Sequence, residues 1–184
     1  MPYIQLTYRA SLLFGVAASL GLVLVMPYAN TLLFKTDTLS AVLMLYVLQI
    51  IWLSIILTFT SILQGYGKLK VPTYFLLGAL TLKIAGNLLF IPLFGILGVA
   101  IASNIGLCIC ALLLMYYLKK LKGIQLATGI FYRKLFLASM SMVVVVLLVA
   151  VLLNSVTDFS SVRMQAVVYS AVLILLGAFT FITV

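Results

Sequence analysis

Residues 10 to 34 carry no charge, and neither do residues 38 to 67, 84 to 118, or 135 to 157. This grouping constrains the chain more than any single motif. A hydrocarbon core about 30 Å thick takes roughly 20 apolar residues of helix to cross, and each of these runs is long enough. The chain has 184 residues, of which 66% are hydrophobic and 7% charged. Soluble domains carry about 25% charged residues, so this chain has too little polar surface to dissolve itself. The alternating pattern of a membrane β-barrel is absent. The expectation is an all-α polytopic membrane protein with six transmembrane helices. They run about Ala10 to Ala29, Leu39 to Gln64, Val71 to Phe94, Ile96 to Leu118, Leu135 to Asn154 and Met164 to Val184. The first is read as a retained helix, because its end, MPYAN, is a poor cleavage site.

Prolines and glycines punctuate these runs. Pro72 opens the third span, where a missing amide costs nothing because first-turn amides have no helical partner. Pro92 and Gly95 close it. The charges then orient the chain. One side of the membrane receives Arg9, Lys68, Lys70, Lys119, Lys120, Lys122, Arg133 and Lys134; the other receives Lys35 with Asp37 and Asp158 with Arg163. Basic loops stay cytoplasmic, which places both ends of the chain in the cytoplasm. The net charge of +9 is therefore mainly a topology signal, with some attraction to anionic membrane lipid, and no nucleic-acid partner is implied.

The stretch 119–134, KKLKGIQLATGIFYRK, is the longest connection. Basic ends and flanking aromatics suit a segment lying along the headgroups. It divides a four-helix part, 1–118, from two further helices, 135–184. In the fourth span Gly98, Ala102, Gly106 and Cys110 recur every four residues. In lipid, helices associate by close backbone approach, so this face is expected to pack on another helix. Ser54, Thr58, Ser61, Gln49 and Gln64 in the second span, with Asn104 in the fourth, read first as hydrogen-bonding glue between helices. Cys108 and Cys110 point to different helix faces and read as packing residues.

Catalytic and metal chemistry find no material here. There is no histidine and no glutamate, and both aspartates fall in loops. No acid–base pair, activated nucleophile or metal-ligand cluster can be assembled within the membrane, so the chain alone is not read as an enzyme and no cofactor is expected. GYGK, residues 65 to 68, lacks the spacing and strand–helix context of a phosphate loop and reads as a tight hairpin. One charge stands out. Lys83 lies 11 residues past Pro72, about 16 Å along a helix, too deep to snorkel comfortably. A lysine at mid-span costs roughly 2.5–3.5 kcal/mol on insertion scales, and such residues face a bundle interior or a wet cavity. Ala79 and Gly86 leave room beside it, and Asn87 at i+4 adds a polar partner. No span supplies a counter-charge. Lys83 is therefore paired with carbonyls, neutral, matched by an acid on a partner, or offered to an anionic ligand.

The run SILQGYGKLKVPTYFLLGALTLKIAGNLLFIPLFGILGVAIASNIG, residues 61 to 106, resembles polysaccharide-type flippases of the multidrug/oligosaccharidyl-lipid/polysaccharide exporter superfamily. The likeness is greatest to the branch containing sporulation stage V protein B and the lipid II flippases. It rests on LQGYGK before a proline, the helix KIAGN, the hairpin IPLFGILGVAIAS, and MPYANTLLFKTD after the first span. Members of that family have about fourteen spans in two pseudo-symmetric lobes, so the resemblance implies a MATE-like fold. This chain would supply the ninth through fourteenth spans: part of the second lobe plus two additional helices. The resemblance further implies a multi-pass protein of the bacterial cytoplasmic membrane that moves an anionic lipid-linked sugar or cell-wall precursor. Lys83, Asn87 and Gln49 would contact that substrate, Gly98, Ala102 and Gly106 would pack the helices, and a missing N-terminal half would be the partner. A non-transporting assembly or interaction subunit, or an inactive fragment, is the alternative.

Overall fold

The computed structural model describes residues 2–34, 39–122 and 129–156. Within them the chain forms six helices and no strand: α1 (Pro2–Phe34), α2 (Ser40–Val47), α3 (Gln49–Gly65), α4 (Lys70–Phe94), α5 (Ile96–Lys122) and α6 (Gly129–Val156). Four stretches are long and apolar enough to cross a membrane: Tyr3–Met26, Ser40–Gly65, Lys70–Phe94 and Ile96–Leu121. They match the first four expected spans. The fifth falls on α6, while Met164 to Val184 and the loop charges Lys35, Asp37, Asp158 and Arg163 lie outside the described residues.

The helices overrun the apolar runs that foretold them. Arg9 is inside α1, Lys119, Lys120 and Lys122 form the last turn of α5, and Arg133 and Lys134 lie within the early turns of α6. Long basic side chains can lie along apolar surface with the charge in the headgroups, and cations at a helix C-terminus favour its dipole. The stretch 119–134 is thus helical over residues 119–122 and 129–134, and residues 123–128 lie outside the described residues.

The second span differs from expectation in a more local way. Its helix is interrupted at Leu48, between α2 and α3, without a proline or glycine to announce it. Asn104 of α5 donates from Nδ2 to the Leu45 carbonyl at 2.7 Å and to its own helix at Ala100, 3.0 Å. Leu45 is the carbonyl that an unbroken helix would pair with the Gln49 amide, so the α5 side chain inserts into the ladder where it is broken.

Both hairpin ends of α4 are set by glycine. At the close of α3, Lys68 N donates to Leu63 O and Gly67 N to Gln64 O, both 2.9 Å, with Gly67 at φ 73°. This Schellman-type turn satisfies two end carbonyls and needs the left-handed conformation that glycine tolerates. GYGK is therefore a helix cap. At the other end Pro92 is tolerated within the last turn, and Gly95 at φ 59° reverses the chain into α5.

The core lies between α1, α3 and α5. Phe59, Leu63, Leu114 and Leu118 are fully buried, Tyr8 stacks on Phe59 at 5.5 Å, and Cys110 packs among them. Gly15 lets α1 approach Ser54 of α3 closely, and Ser11 Oγ donates to the Ser54 carbonyl at 2.8 Å. α6 joins at α1 through Tyr8 Oη against Tyr132 Oη, 3.2 Å, and Arg9 over the Phe131 ring at 5.4 Å. α4 is the edge helix. It packs mainly on α5, and Leu88, Leu89 and Leu93 are exposed. Such side chains are at no disadvantage in hydrocarbon, which is as apolar as leucine.

Candidate functional site

The α4–α5 seam is built from small residues, which fixes the register of the antiparallel pair. A Cβ added at Gly106 would lie 3.1 Å from the Ala79 carbonyl oxygen and 3.7 Å from Lys83 Cβ. One added at Gly86 would lie 3.0 Å from Ala102 Cβ. One added at Gly98 would collide with the Phe90 carbonyl. Going down α5, the contacts therefore climb α4 in the reverse order, and Gly98, Ala102 and Gly106 all face α4. Gly106 lies opposite the base of Lys83, and the tight neighbour there is the Ala79 carbonyl, whereas an added Cβ would meet Lys83 at ordinary contact distance.

Lys83 stands 13 residues from the start of α4 and 11 from its end, roughly 20 Å and 16 Å along the helix. It is half-buried and lines a cleft of about 420 Å³ between α4 and α5. Thr73, Leu76 and Leu80 of α4 and Ser103 and Leu107 of α5 share that cleft. Apart from Lys83, Thr73 and Ser103, the walls are apolar, so the lysine charge is the main polar feature. Among the described residues Lys83 has no carboxylate within ion-pair distance, and those residues contain neither of the two aspartates. In surroundings of low dielectric an uncompensated ammonium attracts an anion more strongly than it would in water.

The other polar residues expected at the site fall differently. Asn87 is one turn beyond Lys83 on α4. Its Oδ1 is buried without a hydrogen-bond partner among the described residues, but the side chain does not line the cleft. Gln49 begins α3 beside the interruption at Leu48; it is 7% exposed, and its Nε2 is buried and unpartnered among the described residues. The structure does not bring Gln49 into the cleft that holds Lys83. Ser103, which sequence reasoning passed over, does line it, with its Oγ buried. The available signal was its place three residues before Gly106, one step around α5 from the small-residue face. The glue reading of the second span divides: the Ser54 carbonyl accepts from Ser11 of α1, whereas Ser61 bonds its own helix at Leu57 and Gln64 is exposed.

The chain is 25% identical over 122 residues to a protein of Bacillus subtilis (strain 168) described as the uncharacterized membrane protein YabM. The matched stretch covers 66% of this chain and 23% of that relative, so the chain spans less than a quarter of the relative's length. No protein-family model matches the chain, and no solved structure matches it. Together with the four apolar helices, this relative supports a membrane protein. Lys83 and its cleft are this chain's own candidate site.

Proposed function

We propose that the chain is part of a flippase or exporter that moves an anionic lipid-linked oligosaccharide or cell-wall precursor across the bacterial cytoplasmic membrane. The observation that carries this reading is Lys83: a mid-span cation in an open cleft, set opposite a glycine, with no carboxylate among the described residues to neutralise it. Intramembrane cations mark substrate or ion pathways. Carrying a phosphate headgroup through hydrocarbon requires a compensating charge along the way, and Lys83 supplies one. The resemblance of residues 61 to 106 to polysaccharide-type flippases supports the same reading.

In this reading the chain contributes six spans to a MATE-like fold, with four in the second lobe and two behind. The transport path opens alternately to each side as two lobes rock about a central site. The chain performs no bond chemistry; it binds, compensates charge and changes shape. α4 is the helix that meets the other lobe, because its face away from α5 is apolar and uncovered within the described residues. The same uncovered face suits a purely structural interaction subunit, and one experiment separates the two. A bacterium lacking its lipid-linked sugar flippase is supplied with this chain, with and without separately expressed first eight spans of a family member. Rescue by the pair and not by either part supports the two-lobe transporter. No rescue by the pair, with both parts present in the membrane and co-purifying, refutes transport and leaves the interaction subunit.

A further inference from the structure

A serine inside an apolar helix ordinarily returns its hydroxyl to a carbonyl three or four residues back. Ser19, Ser54, Ser61, Ser139 and Ser141 do so, at 2.9–3.0 Å. Ser11 donates across to α3, and Ser40 accepts from Asn30. Ser103 does neither. It is 1% exposed, and its Oγ is buried with no hydrogen-bond partner among the described residues. An unpaired buried hydroxyl is unfavourable; Thr60 Oγ1 is the other hydroxyl left so among the described residues, and Ser103 differs from it in lining the cleft that holds Lys83.

The position of Ser103 says what kind of partner. Gly106 faces Ala79 and Lys83, and Ala102 faces Gly86, so Ser103 lies at the level of α4 between Lys83 and Gly86. It opens on the same cleft as Lys83. The two helices thus bring an ammonium and a hydroxyl to one cleft, and both are donors. The positive charge repels a cation, and a neutral sugar would leave the ammonium uncompensated. A phosphate oxygen accepts from both at once. Leu76, Leu80 and Leu107 in the remaining walls suit hydrocarbon. From Thr73 to Lys83 the α4 wall runs roughly 15 Å at 1.5 Å per residue, enough to lie beside the first units of a polyprenyl chain.

We propose that Ser103 is a binding residue of the α4–α5 cleft, donating its hydroxyl to a phosphate oxygen of the lipid-borne anion whose charge Lys83 neutralises. The inference rests on the reading of Lys83 given above and adds the residue that orients the phosphate. Lysine is a point charge on a flexible stem, whereas a hydroxyl on a packed helix has few positions.

The test is equilibrium binding of radiolabelled farnesyl diphosphate to the full chain in phosphatidylcholine nanodiscs, with farnesol and inorganic pyrophosphate as competitors. The wild-type chain binds saturably, and both competitors are weak. Ser103→Ala weakens binding about tenfold, equivalent to about 1.4 kcal/mol, and raises the thermal midpoint because the unpaired hydroxyl is gone. Ser103→Thr, which keeps the hydroxyl, holds affinity within about threefold of wild type, well short of the tenfold that marks a lost 1.4 kcal/mol. Lys83→Met abolishes binding. Wild-type affinity in Ser103→Ala, or a lowered thermal midpoint, overturns the role of Ser103 while a loss in Lys83→Met leaves the Lys83 reading standing. Lys83→Met binding like wild type, or no saturable binding by the wild-type chain, overturns both. Inorganic pyrophosphate competing as strongly as unlabelled farnesyl diphosphate overturns the lipid-borne source and assigns the site to free phosphate.

Discussion

Replacing Gly98 by alanine tests the α4–α5 seam at its tightest point. The added methyl would meet the Phe90 carbonyl, which belongs to backbone and cannot swing aside. Relief requires the two helices to part at the hairpin, and overpacking of this kind costs about 1–3 kcal/mol. Alanine returns up to about 1 kcal/mol of helix propensity over glycine. Since the obstacle is main chain, the overpacking cost belongs at the top of its range, leaving a net loss of about 2 kcal/mol. For a chain of this size each kcal/mol moves the thermal midpoint by about 2–4 °C, so the midpoint falls by about 4–8 °C. Gly78 on the same helix is the control: an added Cβ there meets nothing within 4 Å, so Gly78→Ala holds or raises the midpoint, by at most about 4 °C. Gly106→Ala, with the Ala79 carbonyl at 3.1 Å, falls between them. The assay is loss of the monodisperse peak on heating in detergent. Gly98→Ala melting at or above wild type, with Gly78→Ala melting below it, would refute the close approach of α4 and α5.

Two further outcomes follow from particular contacts. Asn104→Ala removes the 2.7 Å bond to the Leu45 carbonyl; intramembrane hydrogen bonds average about 0.6 and reach about 1.7 kcal/mol, so the melt falls by roughly 1–7 °C, with amide exchange quickening around Leu48. For orientation, a cysteine at residue 121, in a chain whose Cys108 and Cys110 are replaced by alanine, resists an impermeant thiol reagent in intact cells and reacts after permeabilisation. Labelling from outside would reverse the topology.

The spans were legible because the bilayer demands long uncharged runs, and four of them correspond to helices that fit a membrane. Their ends were less legible. Arg9 and Lys119 to Lys122 continue helices past the last apolar residue, since lysine and arginine stems tolerate apolar surroundings that their charges do not. The interruption at Leu48 had no local signature: its apolar neighbours suit a continuous helix, and the residue that reaches the broken ladder, Asn104, is far away in sequence. Within the site, Lys83 announced itself by charge and the face of Gly98, Ala102 and Gly106 by its four-residue repeat. Ser103 did not. In sequence it looks like the serines that bond their own helices, and only the register of α4 against α5 sets it at the level of Lys83. Gln49 shows the converse, a polar residue in the right span that does not line the cleft.

The central claim is that the charge of Lys83 serves substrate passage rather than folding. The direct measurement is lipid-linked sugar export in flippase-deficient cells carrying this chain together with the separately expressed first eight spans of a polysaccharide-type flippase, at matched membrane abundance. Lys83→Met removes the charge while keeping a long unbranched side chain, and Lys83→Arg keeps the charge while changing its shape. Export falls at least tenfold with methionine, a loss of about 1.4 kcal/mol or more at the transport barrier, and is partly retained with arginine. Both variants accumulate and melt close to wild type. Full export by Lys83→Met would rule out a role for the charge in passage and make Lys83 a structural residue.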